Sequence, residues 1–311
     1  MIDEPAPAAQ LESASSGRER WPALPLATWQ DSRDTLHLWT QIVGKTKLAL
    51  APPLNHWWGI TLGVTASGLS TSLMPYGPGA LDVAFDFIDH QLTLRTTAGE
   101  QRRMRLEPRS VQDFYAEYRA HLASLGVDVA IITTPVELPE VIPFDRDTTH
   151  ESYDPNAVHD FWVSLVAANE VYTRFRGEFR GKASPVHFFW GAFDLAVTRF
   201  SGRPAPDHPG GVPNCPDWVM QEAYCSEVSS CGYWPGGRDE GLFYSYAYPE
   251  PDDFRDEPVS SPEAAFDPDL GEFVLPYSAV RQAADPDTLL LSFLRETFDA
   301  AATGAHWPDL T

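Results

Sequence analysis

Apolar and polar positions along the chain alternate between two periods. From Trp21 to about Glu137 the spacing is mostly that of strands. It predicts strands at Leu38–Leu50, Trp57–Ala66, Leu81–Ile88, Gln91–Thr96 and Arg102–Leu106, the last two forming a hairpin through Ala98-Gly99. The period then changes. Val111, Phe114, Tyr115, Tyr118, Leu122 and Leu125 recur at helical spacing behind Ser110, with Asp113 three residues on and Gly126 as the stop. A short apolar run, Val127–Thr133, reads as a further strand, and residues 135–154 as a linker containing Pro and Asp. Asp154-Pro155 opens a long helix to about residue 180, with Val158, Phe161, Trp162, Leu165, Tyr172, Phe175 and Phe179 on one side.

The second half echoes the first. Leu36–Pro52 (LHLWTQIVGKTKLALAP) has a looser counterpart in Val186–Gly202 (VHFFWGAFDLAVTRFSG), pairing Trp39 with Trp190. Ser70-Thr71-Ser72 before Pro75-Tyr76-Gly77 pairs with Ser229-Ser230 before Pro235-Gly236, and Phe85-Asp86-Phe87 with Tyr244-Ser245-Tyr246. Leu106–Pro108 pairs with Leu275-Pro276, and the helix after Ser110 with one after Asp285-Pro286. The extra length of the second copy falls in two Pro-rich stretches, Gly202–Pro216 and Pro249–Pro268, where insertions cost little. The expectation is an α+β fold of two pseudo-repeated antiparallel-sheet-plus-helix units joined by a long central helix. Its parts would be a disordered tail at 1–20, a first unit at 21–137, a linker and connecting helix at 138–182, and a second unit at 183–311. A single compact body is favoured because the linker is short.

Charge narrows the partners. With 44 acids against 22 Lys and Arg, a net charge of −22 repels phosphate backbones, so nucleic acid is not expected as a partner. Three cysteines, Cys215, Cys225 and Cys231, without a CxxC pair argue against a disulfide framework or a structural zinc and for a reducing, cytoplasmic setting. The acidic N-terminus is unlike a signal peptide, and no apolar run is long enough to span a membrane.

The phrases LHLWTQIVGK, FDFIDH, VHFFWGAFDLAVTRFSGR, EVSSCGYWPGG and FYSYAYPEP resemble an uncharacterised bacterial family, a domain of unknown function, across nearly all of Trp21–Trp307. The resemblance implies no particular activity. The family pattern carries a His just after NHWW, where this chain has Gly59, and Ser-His where it has Cys225-Ser226 before Glu227. If those histidines serve a function, this member has altered it.

Three sets of residues can carry chemistry. The first is His37, His56, Asp86, Asp89, His90, His187, Asp194, Glu222 and Glu227, in which an Asp beside a His can orient an imidazole for base catalysis. Within it His37, His90, His187 and Asp86 are the catalytic candidates, and no metal site is expected. The second is a basic spot of Lys45 and Lys47, expected on one strand face, with Arg199 and Arg203. The third is aromatic: Trp57, Trp58, Tyr233, Trp234 and the Tyr244/Tyr246/Tyr248 face can stack on a sugar or another ring. Ligand contacts are expected from Trp39, Lys45, Trp58, Trp190, Arg199, Glu227 and Trp234. Ordinary packing accounts for most of these residues as well. The cysteines read as buried thiols without a nearby base. The expected function is a small-molecule pocket of His and Trp between the two units, hydrolytic or simply binding, with no cofactor specified. The alternative is a scaffold or interaction module.

Overall fold

The computed structural model describes residues 19–308. Most of the expected tail at 1–20 therefore lies outside the described residues. The fold is α+β, with two six-stranded antiparallel sheets and helices packed on them. The chain opens with helix α1 (Leu26–Leu50) and a 3₁₀ stretch (Asn55–Ile60). The first sheet follows: β1 (Gly63–Val64), β2 (Gly68–Ser70), β3 (Met74–Tyr76), β4 (Gly79–Asp86), β5 (Gln91–Thr96) and β6 (Gln101–Arg105). Then come α2 (Val111–Ser124) and α3 (Pro155–Gly177). The second sheet contains β7 (His187–Phe189), β8 (Asp194–Pro204), β9 (Ser226–Trp234), β10 (Leu242–Tyr248), β11 (Ala265–Asp267) and β12 (Glu272–Pro276), with the short α4 (Asp217–Ala223) before β9. Helices α5 (Tyr277–Gln282) and α6 (Pro286–Gly304) close the chain.

Strand order in the first sheet is β1-β2-β4-β5-β6, with β3 also on β4; in the second it is β11-β12-β10-β9-β8-β7. Leu62 and Phe188 exchange backbone hydrogen bonds of 2.9 and 2.8 Å, linking the first sheet's edge to β7. A single cluster of buried apolar side chains runs through both halves, from Trp21 to Ala301. No helix among the described residues is long and apolar enough to cross a membrane.

Helices with a local start signal form where the sequence places them. The Ser110 hydroxyl accepts from the Asp113 amide, Asp154 from the Asn156 amide and Asp285 from the Thr288 amide. Two predicted strands are overturned outright and a third, Trp57–Ala66, in large part: Trp57–Ile60 belongs to the 3₁₀ stretch and only Gly63–Val64 is strand. Leu38–Leu50 belongs to α1, which is buried on every side from Thr35 to Thr46, so its apolar run has no polar face to reveal the helical period. Its interior threonines return their hydroxyls to the helix, Thr40 to the His37 carbonyl at 2.7 Å and Thr46 to the Ile42 carbonyl at 3.1 Å. The run Val127–Thr133 has no regular structure and pairs with a side chain instead, Arg119 donating to the Val129 carbonyl.

The proposed pairing of Trp39 with Trp190 is corrected accordingly. Trp39 lies mid-helix, stacked on Phe114 (4.6 Å) and Tyr153 (5.6 Å), whereas Trp190 occupies the turn after β7. In element order each half reads helix, sheet, helix.

Candidate functional site

His37, Gln41 and Lys45 recur every fourth residue along α1 and form one row. Each spends its polar atoms on backbone from elsewhere. His37 Nε2 lies 2.8 Å from the Gly191 carbonyl. Gln41 brackets Val136, donating to its carbonyl and accepting from its amide, both at 2.9 Å. Lys45 Nζ donates to the Thr134 carbonyl at 2.8 Å. Burial lowers the His37 pKa to about 4, which keeps the ring neutral, and lowers Lys45 to about 8. The row pins the segment 134–138 and the turn 190–193 to the helix.

That arrangement places Glu137. Its backbone is left-handed (φ 61°), its amide donates to the Pro213 carbonyl at 2.8 Å, and its carboxylate rests on Gly191. A Cβ at position 191 would overlap that carboxylate, so any other residue there would displace it. Asp194 starts β8 three residues on, and its Oδ2 accepts from the Tyr244 hydroxyl. Its Oδ1 is buried without a hydrogen-bond partner among the described residues. Register carries Tyr244 beside Gly232, whose missing side chain makes room for the ring, and Tyr246 beside Ser230. The Tyr224 hydroxyl, at the end of α4, meets that of Tyr246 at 2.7 Å.

The electrostatics of this group are unusual. Burial raises Glu137 to about 7, with the Asp194 charge adding to it. Burial raises Asp194 to about 6, partly offset by the Tyr244 hydrogen bond. Burial raises Glu272 to about 7, helped by Asp194 and Asp267. Such carboxyls titrate together, and near neutral pH the set holds protons that free carboxylates would release. Glu137, Glu272, Tyr224, Tyr244 and Tyr246 keep partial solvent exposure although protein crowds and desolvates them. Asp194, Tyr244, Tyr246 and Glu272 lie on one face of the second sheet, and Glu137 comes to them from the segment 134–138.

The other expected site residues are dispersed. Buried His187 meets Thr61 Oγ1 at 3.2 Å; burial lowers its pKa to about 3, and its Nε2 has no partner among the described residues. His90 Nδ1 lies 2.9 Å from the Tyr153 hydroxyl, and Asp86 caps the amides of Ile88 and Asp89 at 2.9 Å. The three histidines thus sit in three different neighbourhoods. Trp39 is core. Trp190 bonds the Ile60 carbonyl at 2.8 Å and presses its ring against Gly44. Trp58 lies under Lys182, and Trp234 packs over Gly236 and Gly237.

The basic spot does not assemble. On a helix Lys45 and Lys47 point roughly 200° apart, and Lys47 donates to the Thr61 carbonyl at 2.5 Å. Arg199 is buried on the opposite face of the second sheet, among Phe175 (3.5 Å), Phe298 (4.3 Å) and Phe179 (5.1 Å), and donates to the Phe175 carbonyl. Arg203 pairs with Glu227 at 2.7 Å, and Glu227 also accepts from Ser201 at 2.8 Å.

The cysteine reading also changes. Exposed Cys225 has an imidazole near it, with Sγ 3.9 Å from His56 Nδ1. However, Nδ1 faces the Ala223 carbonyl at 3.0 Å and so carries the ring proton, while Nε2 accepts from Lys182 at 2.9 Å. Both nitrogens are committed, and His56 has no free lone pair for the thiol.

Asp194 and the Tyr244/Tyr246 face are legible in the sequence; Glu137 and Glu272 are not. Glu137 sits in a Pro-flanked linker, and Glu272 at the start of a short strand behind Gly271. Only the fold brings them beside Asp194. No group of His, Cys, Asp and Glu among the described residues is arranged to hold a metal ion.

Neither the curated proteins nor the solved structures contain a match to this chain. A family model does match, over residues 21–311, and the chain belongs to that family, the family of unknown function DUF5996.

Proposed function

We propose that the protein binds a small organic molecule between the segment 134–138 and the tyrosine face of the second sheet, where Glu137, Asp194 and Glu272 exchange protons with it. The observation that carries this reading is Asp194, a buried carboxyl group with one oxygen bonded to Tyr244 and the other lacking a side-chain partner among the described residues. An unmade hydrogen bond of that kind costs about 1–3 kcal/mol, and a hydroxyl or amine of a ligand would recover it. Carboxyls raised to about 6 and about 7 supply both a proton donor and a proton acceptor near neutral pH, as hydrolytic acid–base chemistry requires. The tyrosine rings offer apolar contact. His37, Gln41 and Lys45 are positioning residues that act through backbone.

The test is thermal unfolding of the full chain against a panel of polyols, amines and glycosides. The expected result is a compound that raises Tm by several degrees in the wild-type protein and not in a folded Asp194→Asn variant. An unshifted Tm across the panel, with another protein co-purifying, would instead support an interaction module.

A further inference from the structure

A cleft lies between the 3₁₀ stretch Asn55–Ile60 and α4. It is open, has a volume of about 610 Å³, and is lined by Leu54, Asn55, Trp57, Trp218, Gln221 and Glu222. The indoles of Trp57 and Trp218 are 5.4 Å apart and tilted by 58°, so they form a corner. Trp218 is 58% exposed, whereas the other tryptophans are buried or half-buried. Trp57 is held as a wall by two constraints. Its backbone is left-handed (φ 61°), as is that of His56 (φ 53°), and its Nε1 donates to the Val219 carbonyl at 2.8 Å. Two consecutive non-glycine residues in that region are costly and persist only where surrounding contacts enforce them.

Three flat polar groups surround the corner. The Asn55 and Gln221 side chains have no hydrogen-bond partner among the described residues, and Glu222 uses Oε1 to accept from the His56 amide at 3.1 Å. Amide and carboxylate planes can each engage two adjacent hydroxyls, while an indole face covers the C–H side of a sugar ring. A bound cation is the competing possibility, since Glu222 is the one charged residue in the lining, but one of its oxygens is already committed to the His56 amide. A corner of indoles with flat hydrogen-bonding groups suits a neutral polyhydroxylated ring.

We propose that the cleft between the 3₁₀ stretch Asn55–Ile60 and α4 is a carbohydrate-binding site, taking one or two neutral sugar units against Trp57 and Trp218. The site is separate from the carboxyl cluster and does not depend on it. The test is isothermal titration of the full chain with neutral di- to tetrasaccharides of glucose, galactose, mannose and xylose. Tetramethylammonium chloride serves as the cationic comparison. At least one saccharide is expected to bind. Trp218→Ala, at an exposed position, should weaken it at least tenfold while leaving Tm unchanged, and Trp218→Phe should restore most of the affinity. Three outcomes overturn the proposal: no saccharide binds, binding is indifferent to Trp218→Ala, or only tetramethylammonium binds in a Trp218-dependent manner.

Discussion

Glu137 shows how position alone changes a side chain's chemistry. Its carboxyl is desolvated against Gly191 and faces the Asp194 charge, with Lys45 and Cys215 nearby. Because the folded pKa lies above the unfolded one, the native state holds a proton that the unfolded chain has released. Its stabilising contribution is therefore complete below about pH 4.5 and is lost as pH rises through about 7. Glu137→Gln should thus raise stability by about 1–2 kcal/mol at pH 8 and change it little at pH 5, as read from urea unfolding at the two pH values. The buried histidines respond in the opposite sense. His37 and His187 have lowered pKa values, so their contribution is present above about pH 6.5 and fades as pH falls through about 4 and about 3. Arg199 is a different case, a buried cation whose nearest partners are rings and one carbonyl. Arg199→Ala should cost roughly 3–4 kcal/mol, because it empties a space among three phenylalanines. Arg199→Met, which fills that space without burying charge, should cost less, about 1–2 kcal/mol. Equal losses in the two variants would mean that the guanidinium itself, rather than its volume, holds those rings.

At the scale of elements, what the sequence reveals depends on how locally each element is specified. Strands β4 to β6 lie where alternation places them, and α2, α3 and α6 begin at the Ser or Asp caps that announce them. Helix α1 escapes the same reading because it is buried all round. The error then carries forward, giving a strand-face argument for Lys45 and Lys47 and a false partner for Trp39. His37 and Lys45 are recognisable from sequence as polar groups in an apolar run, but their partners are backbone atoms about a hundred or more positions away. No short motif encodes that. Gly44 makes the packing of α1 testable. Helix propensity alone would have Gly44→Ala gain up to about 1 kcal/mol. A Cβ there would overlap the Trp190 ring, so the variant should instead lose roughly 2 kcal/mol. In a Trp190→Leu background the same substitution should cost markedly less, which a double-mutant cycle measures.

At the scale of the molecule, the two halves share one core and one edge-to-edge strand contact at Leu62 and Phe188. Calorimetry should accordingly show a single unfolding transition, with van't Hoff and calorimetric enthalpies in agreement. Two resolved transitions would mean that the halves fold as separate units. The loop between β8 and β9 has a bearing on this cohesion. Its covalent ends belong to β8 and β9, but several of its hydrogen bonds reach the other half. Pro213 accepts from the Glu137 amide, Asn214 donates to Leu138, Val219 accepts from Trp57 and Ala223 accepts from His56. The carboxyl cluster likewise spans the halves, with Asp194 and Glu272 from one and Glu137 from the other. A guest lodged there would act as a rivet across the seam, and its affinity would be felt as resistance to prising the halves apart.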